Sequence, residues 1–198
     1  MKTLTLFIVA LIAWSTIITQ LVITTESLSN FFSYFTILSN ILVALCVTFL
    51  FLPVTTAAGR FFKKTSVQTA IALYIFIVAL VYNAVLRWLF DFKGLQCVVD
   101  NFLHVVVPLL FVLYWYFFTP KENLTWKDGL LWLIFPSLYL VYSMIRGSIT
   151  HWYPYPFLNV EILGLGKVAM NVAFMILAFL ISALLLIWIN GIVVKRRI

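Results

Sequence analysis

"NFFSYFTILSNILVAL", residues 30–45, decides how this chain reads. Its second half is almost wholly apolar, while its first half carries Asn30, Ser33, Tyr34, Thr36, Ser39 and Asn40. About 20 apolar residues cross a bilayer core of ~30 Å, so the stretch reads as the polar head of a membrane helix. Ser33, Thr36 and Asn40 follow i, i+3, i+7 spacing and share one helix face. That face is expected to look into protein or a wet cavity, because polar groups are costly against lipid.

The rest of the chain supports this reading. Its 198 residues are 65% hydrophobic and only 10% charged, with a mean hydropathy of +1.13, against about 25% charge in a soluble domain. Apolar runs fall at 4–25, 33–53, 67–90, 100–119, 129–146 and 167–191. Lipid offers no water to satisfy backbone groups, so these runs are expected to be helices. The fold class that follows is all-α, a six-transmembrane-helix bundle forming one membrane domain over residues 1–198. The first run is long and lacks a small-x-small cleavage pattern, so it reads as a retained span rather than a signal peptide.

Sidedness follows from the 13 Lys and Arg residues. With the N-terminus inside, that side holds Lys2, Arg60, Lys63, Lys64, Lys121, Lys127, Lys195, Arg196 and Arg197, leaving Arg87, Lys93, Arg146 and Lys167 outside. The bias of nine against four predicts cytoplasmic termini. The net charge of +7 is then a topology signal, and nucleic acid is not an expected partner. Cys46 lies mid-span and Cys97 at a span end, too far apart in depth for a disulfide.

Four spans contribute polar groups to the outer end. Thr36 is expected about 6 Å deep at 1.5 Å per residue, and His104 lies at a similar depth in the fourth span. Asn83 and Arg87 stand four apart in the third span; Asp100 and His104 stand four apart in the fourth, with Asn101 between them. Tyr142, Ser143 and Arg146 end the fifth. The loop "HWYPYPFL", residues 151–158, brings Tyr153 and Tyr155 to the same side as an aromatic cap. Each residue also has a plainer reading. A buried Thr or Ser commonly bonds back to a carbonyl one turn earlier, His104 is equally readable as a satisfied core histidine, and the asparagines as interhelical glue. Arg87 and Arg146 are expected to pair with Asp91, Asp100 or lipid phosphates. No metal-ligand cluster, nucleophile elbow or phosphate loop is present, so neither a metal nor a cofactor is expected.

At "YFTILSN", residues 34–40, and "DNFLHVVVP", residues 100–108, the sequence resembles a known family. It is similar to the bacterial six-pass relatives of the androgen-induced and androgen-dependent transmembrane proteins, intramembrane threonine hydrolases of fatty-acid esters of hydroxy fatty acids. The resemblance implies Thr36 as nucleophile, His104 as its catalytic partner and Pro108 as the proline that trails it. It also implies a multi-pass protein of the bacterial inner membrane. Histidine suits the task because a threonine hydroxyl attacks only once a neighbouring base accepts its proton. Asp100 either orients His104 by triad logic or pairs with Arg87. Asn40, Asn83 and Asn101 are equal candidates for the oxyanion donor, with Ser33 and Arg87 as supporting residues.

The expected function is therefore hydrolysis of fatty-acyl lipid esters by Thr36 and His104. The expected partners are membrane lipids and the ester substrate, with no obligate protein partner. The alternative is a membrane protein that binds or transports a lipid or small molecule in a non-catalytic polar pocket.

Overall fold

The computed structural model describes residues 1–52 and 55–195. Pro53, the expected end of the second span, lies outside the described residues, as do Arg196 and Arg197 of the charge count. Among the described residues every regular element is helical. In chain order these are α1 (Lys2–Ile23), α2 (Leu28–Phe31), α3 (Phe35–Phe51), α4 (Ala57–Lys63), α5 (Thr65–Val81), α6 (Gly94–Asn101), α7 (Val107–Phe118), α8 (Trp126–Trp132), α9 (Ile134–Thr150) and α10 (Val160–Lys195). Several join end to end. Five resulting segments are long and apolar enough to cross a membrane: Lys2–Ile23, Thr65–Leu89, Gly94–Phe118, Trp126–Thr150 and Val160–Val194.

The second expected span departs from this set. Helix α3 has only 17 residues, about 25 Å at 1.5 Å per residue, which is short of a ~30 Å hydrocarbon core. The stretch 33–53 does not start as one helix because Ser27 caps the separate turn α2, accepting from Asn30 N. The chain then bends through Ser33 and Tyr34 before α3 begins at Phe35. Ser33 consequently lies off the face that Thr36 and Asn40 share, and the expected i, i+3, i+7 stripe is broken at its first member.

Helices α3 and α5 form the centre: α3 packs on α1 and α5, and α5 also packs on α7 and α10. Three indole and phenol groups inside this apolar core find acceptors, as buried polar groups must. Trp14 Nε1 donates to Thr48 Oγ1 at 3.1 Å, Trp115 Nε1 to Thr69 Oγ1 at 2.9 Å, and Tyr74 OH to the Trp132 carbonyl at 2.7 Å. Gln68 is buried at the end of the bundle away from Thr36; its amide donates to the Phe62 and Lys63 carbonyls and accepts from Thr119. That polar group closes onto the protein and serves the fold. Outward, Leu11, Leu138, Phe174 and Trp188 are each at least 60% exposed, a belt suited to lipid and unusual in water.

Two π-helical turns, Tyr82–Leu86 and Phe102–Val106, interrupt the helices that flank the centre. The second follows from Pro108, which has no N–H for the carbonyl of residue 104. Val107 N–H bonds instead to the Phe102 carbonyl, and the Leu103 and His104 carbonyls are released to side chains. Asn40 Nδ2 reaches the first at 3.2 Å and Asn83 Nδ2 the second at 3.4 Å.

The connection after α9 folds back over this end. His151 ends α9 in the left-handed region (φ 56°), and Asn159 Oδ1 starts α10 by accepting from Glu161 N and Ile162 N. The last helix thus begins at Val160 and not near 167, with a break at Gly164 (φ 75°) that only glycine adopts freely. Gly147 lies against the Tyr153 ring with no room for a Cβ. Gly147→Ala is expected to lift the cap loop and cost about 1 to 3 kcal/mol, seen as a lower Tm.

Candidate active site

Thr36 sits in the first turn of α3, where a side chain escapes the usual bond to the preceding turn. Thr16, Thr19, Thr48 and Thr69 all donate to the carbonyl four residues earlier. Thr36 Oγ1 instead lies 3.3 Å from His104 Nε2 and 3.3 Å from the Tyr155 hydroxyl. Both Thr36 and His104 are buried, at 7% and 9% exposure. The plain reading of Thr36 as a back-bonded helix hydroxyl therefore does not describe it.

His104 is held from its other side. Nδ1 lies 2.8 Å from the Asp100 carbonyl oxygen and 3.1 Å from Asp100 Oδ1. Two acceptors at Nδ1 call for a proton there, which leaves the Nε2 lone pair directed at Thr36. Tyr82 stacks on the imidazole, with centroids 3.8 Å apart and planes 13° from parallel, and its hydroxyl donates to Asp100 Oδ2. The π-helical turns put both rings in register: Tyr82 opens one turn and His104 lies within the other. Asp100 is 6% exposed and bonds to His104 and Tyr82, so the expectation that it pairs with Arg87 is not met.

Arg87 takes another route. Its guanidinium donates to Asn83 Oδ1 at 2.8 Å and Asn101 Oδ1 at 3.2 Å on the exposed side of the helix pair. Arg146 donates to Ser29 and Asn30 and lies over the Trp152 ring, while Asp91 pairs with Lys93 at 3.4 Å. These cations brace the rim without touching the Thr36 hydroxyl.

The three asparagines considered as oxyanion donors are all engaged elsewhere. Asn40 Nδ2 donates to the Thr36 and Leu103 carbonyls, Asn83 Nδ2 to the Ala79 and His104 carbonyls, and Asn101 Nδ2 to the Cys97 carbonyl. Each satisfies backbone released by a helix irregularity or one turn earlier. Ser33 bonds to the Ser29 carbonyl and to Tyr142, both at 2.6 Å, and so joins α2 to α9.

Tyr155 is the cap residue that enters the site. Its hydroxyl accepts from Thr36 N at 3.1 Å, leaving its own proton free toward Thr36 Oγ1. Burial pushes the phenol above its ordinary pKa, so it stays a proton donor through the physiological range. Tyr153 has a different part, packing under Gly147 to hold the loop. Nothing in the spacing of 151–158 marks Tyr155 for this position; its reach depends on how the loop closes. Among the described residues no group of three His, Cys, Asp or Glu side chains is arranged to hold a metal ion.

No family model, curated protein or solved structure matches the chain.

Proposed function

We propose that the chain is a six-pass intramembrane hydrolase of fatty-acyl lipid esters, with Thr36 as nucleophile. The reading rests above all on the buried 3.3 Å approach of Thr36 Oγ1 to His104 Nε2, with His104 Nδ1 turned to Asp100. In this reading α3 crosses with α2 and the turn after it completing the passage. The bias of basic residues favours cytoplasmic termini with the Thr36 end on the outer side, and the resemblance to the bacterial six-pass proteins suggests an inner membrane. In this reading α2 lies above the head of α3, so Thr36 stands below the bilayer surface, within reach of an ester at the top of an acyl chain.

The chemistry follows from the contacts. Thr36 Oγ attacks the ester carbonyl carbon while His104 Nε2 takes its proton, and the Asp100 carboxylate stabilises the resulting imidazolium. The Tyr155 hydroxyl, already accepting from Thr36 N–H, donates to the developing oxyanion. Collapse breaks the bond to the alcohol oxygen, which receives the proton from His104 and leaves as free alcohol. Water then attacks the acyl-threonine, giving its proton to His104; the second collapse releases the fatty acid and returns the proton to Thr36. One ester and one water become one acid and one alcohol.

Fluorophosphonate labelling tests the proposal. The wild-type protein is expected to label on Thr36. A wild type that stays unlabelled, or labelling that survives Thr36→Ala, overturns it in favour of a pocket that only binds. Tyr155→Phe removes the oxyanion donor but keeps the ring, and is expected to lower turnover by about 10²-fold with little change in KM, as read in steady-state ester hydrolysis.

A further inference from the structure

Helix α3 begins without a side-chain cap at the turn that carries Thr36. Ser27, Thr56 and Asn159 each accept from backbone N–H groups at the heads of α2, α4 and α10, as cap residues do. Tyr34 holds that place before α3 and offers no acceptor; its ring lies edge-on against Trp152 and Tyr155. The N–H groups that a helix leaves open at its start therefore turn elsewhere. Phe35 N–H donates to the Tyr139 hydroxyl, Thr36 N–H to the Tyr155 hydroxyl and Leu38 N–H to the Tyr34 carbonyl. Ile37 N–H has no acceptor among the described residues, although Ile37 is only 3% exposed. A buried backbone donor without an acceptor is rare and costly.

We infer that Ile37 N–H is a second oxyanion donor of the Thr36 site, beside the Tyr155 hydroxyl. This rests on the hydrolase reading. Thr36, Ile37, His104 and Tyr155 all border one cavity of about 650 Å³, so a carbonyl that reaches Thr36 Oγ from it meets the head of α3. As Oγ bonds to the carbonyl carbon, the second C=O electron pair moves onto the oxygen. The N–H and the phenol receive that charge, and the pair returns to the carbonyl when the alcohol leaves. The positive end of a 17-residue helix adds to the attraction, and no acidic residue stands in its first turn. A donor fixed in a helix needs no reorganisation when charge develops, which is what makes such groups effective. Hydrolases of the α/β class, whose nucleophile also stands at the head of a helix, use the N–H of the following residue in this way.

The experiment replaces Ile37 by its α-hydroxy acid in the full-length protein in nanodiscs, which turns the N–H into an ester oxygen and keeps the side chain. The kcat for a palmitoyl ester is expected to fall about 10²-fold with little change in KM. Affinity for a palmitoyl trifluoromethyl ketone, which forms a tetrahedral adduct on Thr36, should fall by a similar factor, while affinity for the matching non-hydrolysable ether should not change. Ile37→Pro removes the same N–H in a first helical turn, where proline is tolerated, and gives the same test should the ester-linked protein not fold. An unchanged kcat, or an equal loss of affinity for ketone and ether, overturns the inference. Fluorophosphonate labelling of the wild type in the same preparations separates the two levels. A wild type labelled on Thr36 beside an unaffected variant rejects only Ile37 as a donor, and a wild type that never labels rejects the hydrolase reading with it.

Discussion

Thr36→Ala is expected to abolish fluorophosphonate labelling and to lower ester turnover by about 10⁴-fold or more, since without the hydroxyl no acyl-threonine forms. The fold should survive. Among the described residues Thr36 Oγ1 makes two hydrogen bonds, both at 3.3 Å, and the residue's structural ties run through its backbone, to Tyr155 by the N–H and to Asn40 by the carbonyl. Loss of two long hydrogen bonds costs about 1 to 2 kcal/mol, and alanine suits a helix first turn. Thr36→Ser keeps the oxygen and should retain labelling, so the pair separates chemistry from packing. A Thr36→Ala protein that elutes and melts like the wild type yet still turns over ester would remove Thr36 from the mechanism.

Asp100→Asn has the second largest expected effect, about 10³-fold in kcat. An asparagine in a Ser-His-Asp triad costs about 10⁴ largely because it favours the wrong imidazole tautomer. Here the Asp100 carbonyl oxygen, 2.8 Å from Nδ1, holds the proton at Nδ1 whatever the side chain is. What the substitution forfeits is the negative charge facing the imidazolium in a buried site, where charge is weakly screened. The amide oxygen that replaces the carboxylate can still accept from Tyr82, so the stacked ring should stay in place. Kinetics with a soluble ester and an unchanged Tm would give this result; a loss below tenfold would make Asp100 a fold residue, and a loss well above 10⁴ would mean that the carbonyl does not hold the tautomer.

Tyr155 shows where the two kinds of information divide. The run 151–158 reads as an aromatic cap, and Tyr155 as one of its members. Whether a tyrosine in such a loop meets lipid, water or a buried hydroxyl is decided by packing over a long sequence separation, here between Tyr155 and Thr36. The amides show the converse. Asn40 and Asn83 are legible as buried polar residues near the site, but their amide protons serve carbonyls that Pro108 and the π-helical turn set free. Pro108 in the middle of an apolar run is the signal that could have foretold this, because it must orphan a carbonyl one turn back.

By itself the sequence determined the class of structure. A chain 65% hydrophobic and 10% charged can satisfy its backbone in lipid only as helices, and the i, i+4 step from Asp100 to His104 puts those two side chains together on any helix. It also placed Thr36 and His104 near the heads of the apolar runs 33–53 and 100–119, although the helical segment that holds His104 begins at Gly94, ten residues before it. The tertiary structure alone decided the rest: that the second span starts at Phe35 and drops Ser33 from the polar face, that Arg87 turns to Asn83 and Asn101 instead of Asp100, and that Tyr155 closes on Thr36. The reason is physical. Periodicity and hydropathy act within one helix, whereas the rotation of each helix against its neighbours, and the extra residue in each π-helical turn, depend on how side chains from the other helices fill the space between them.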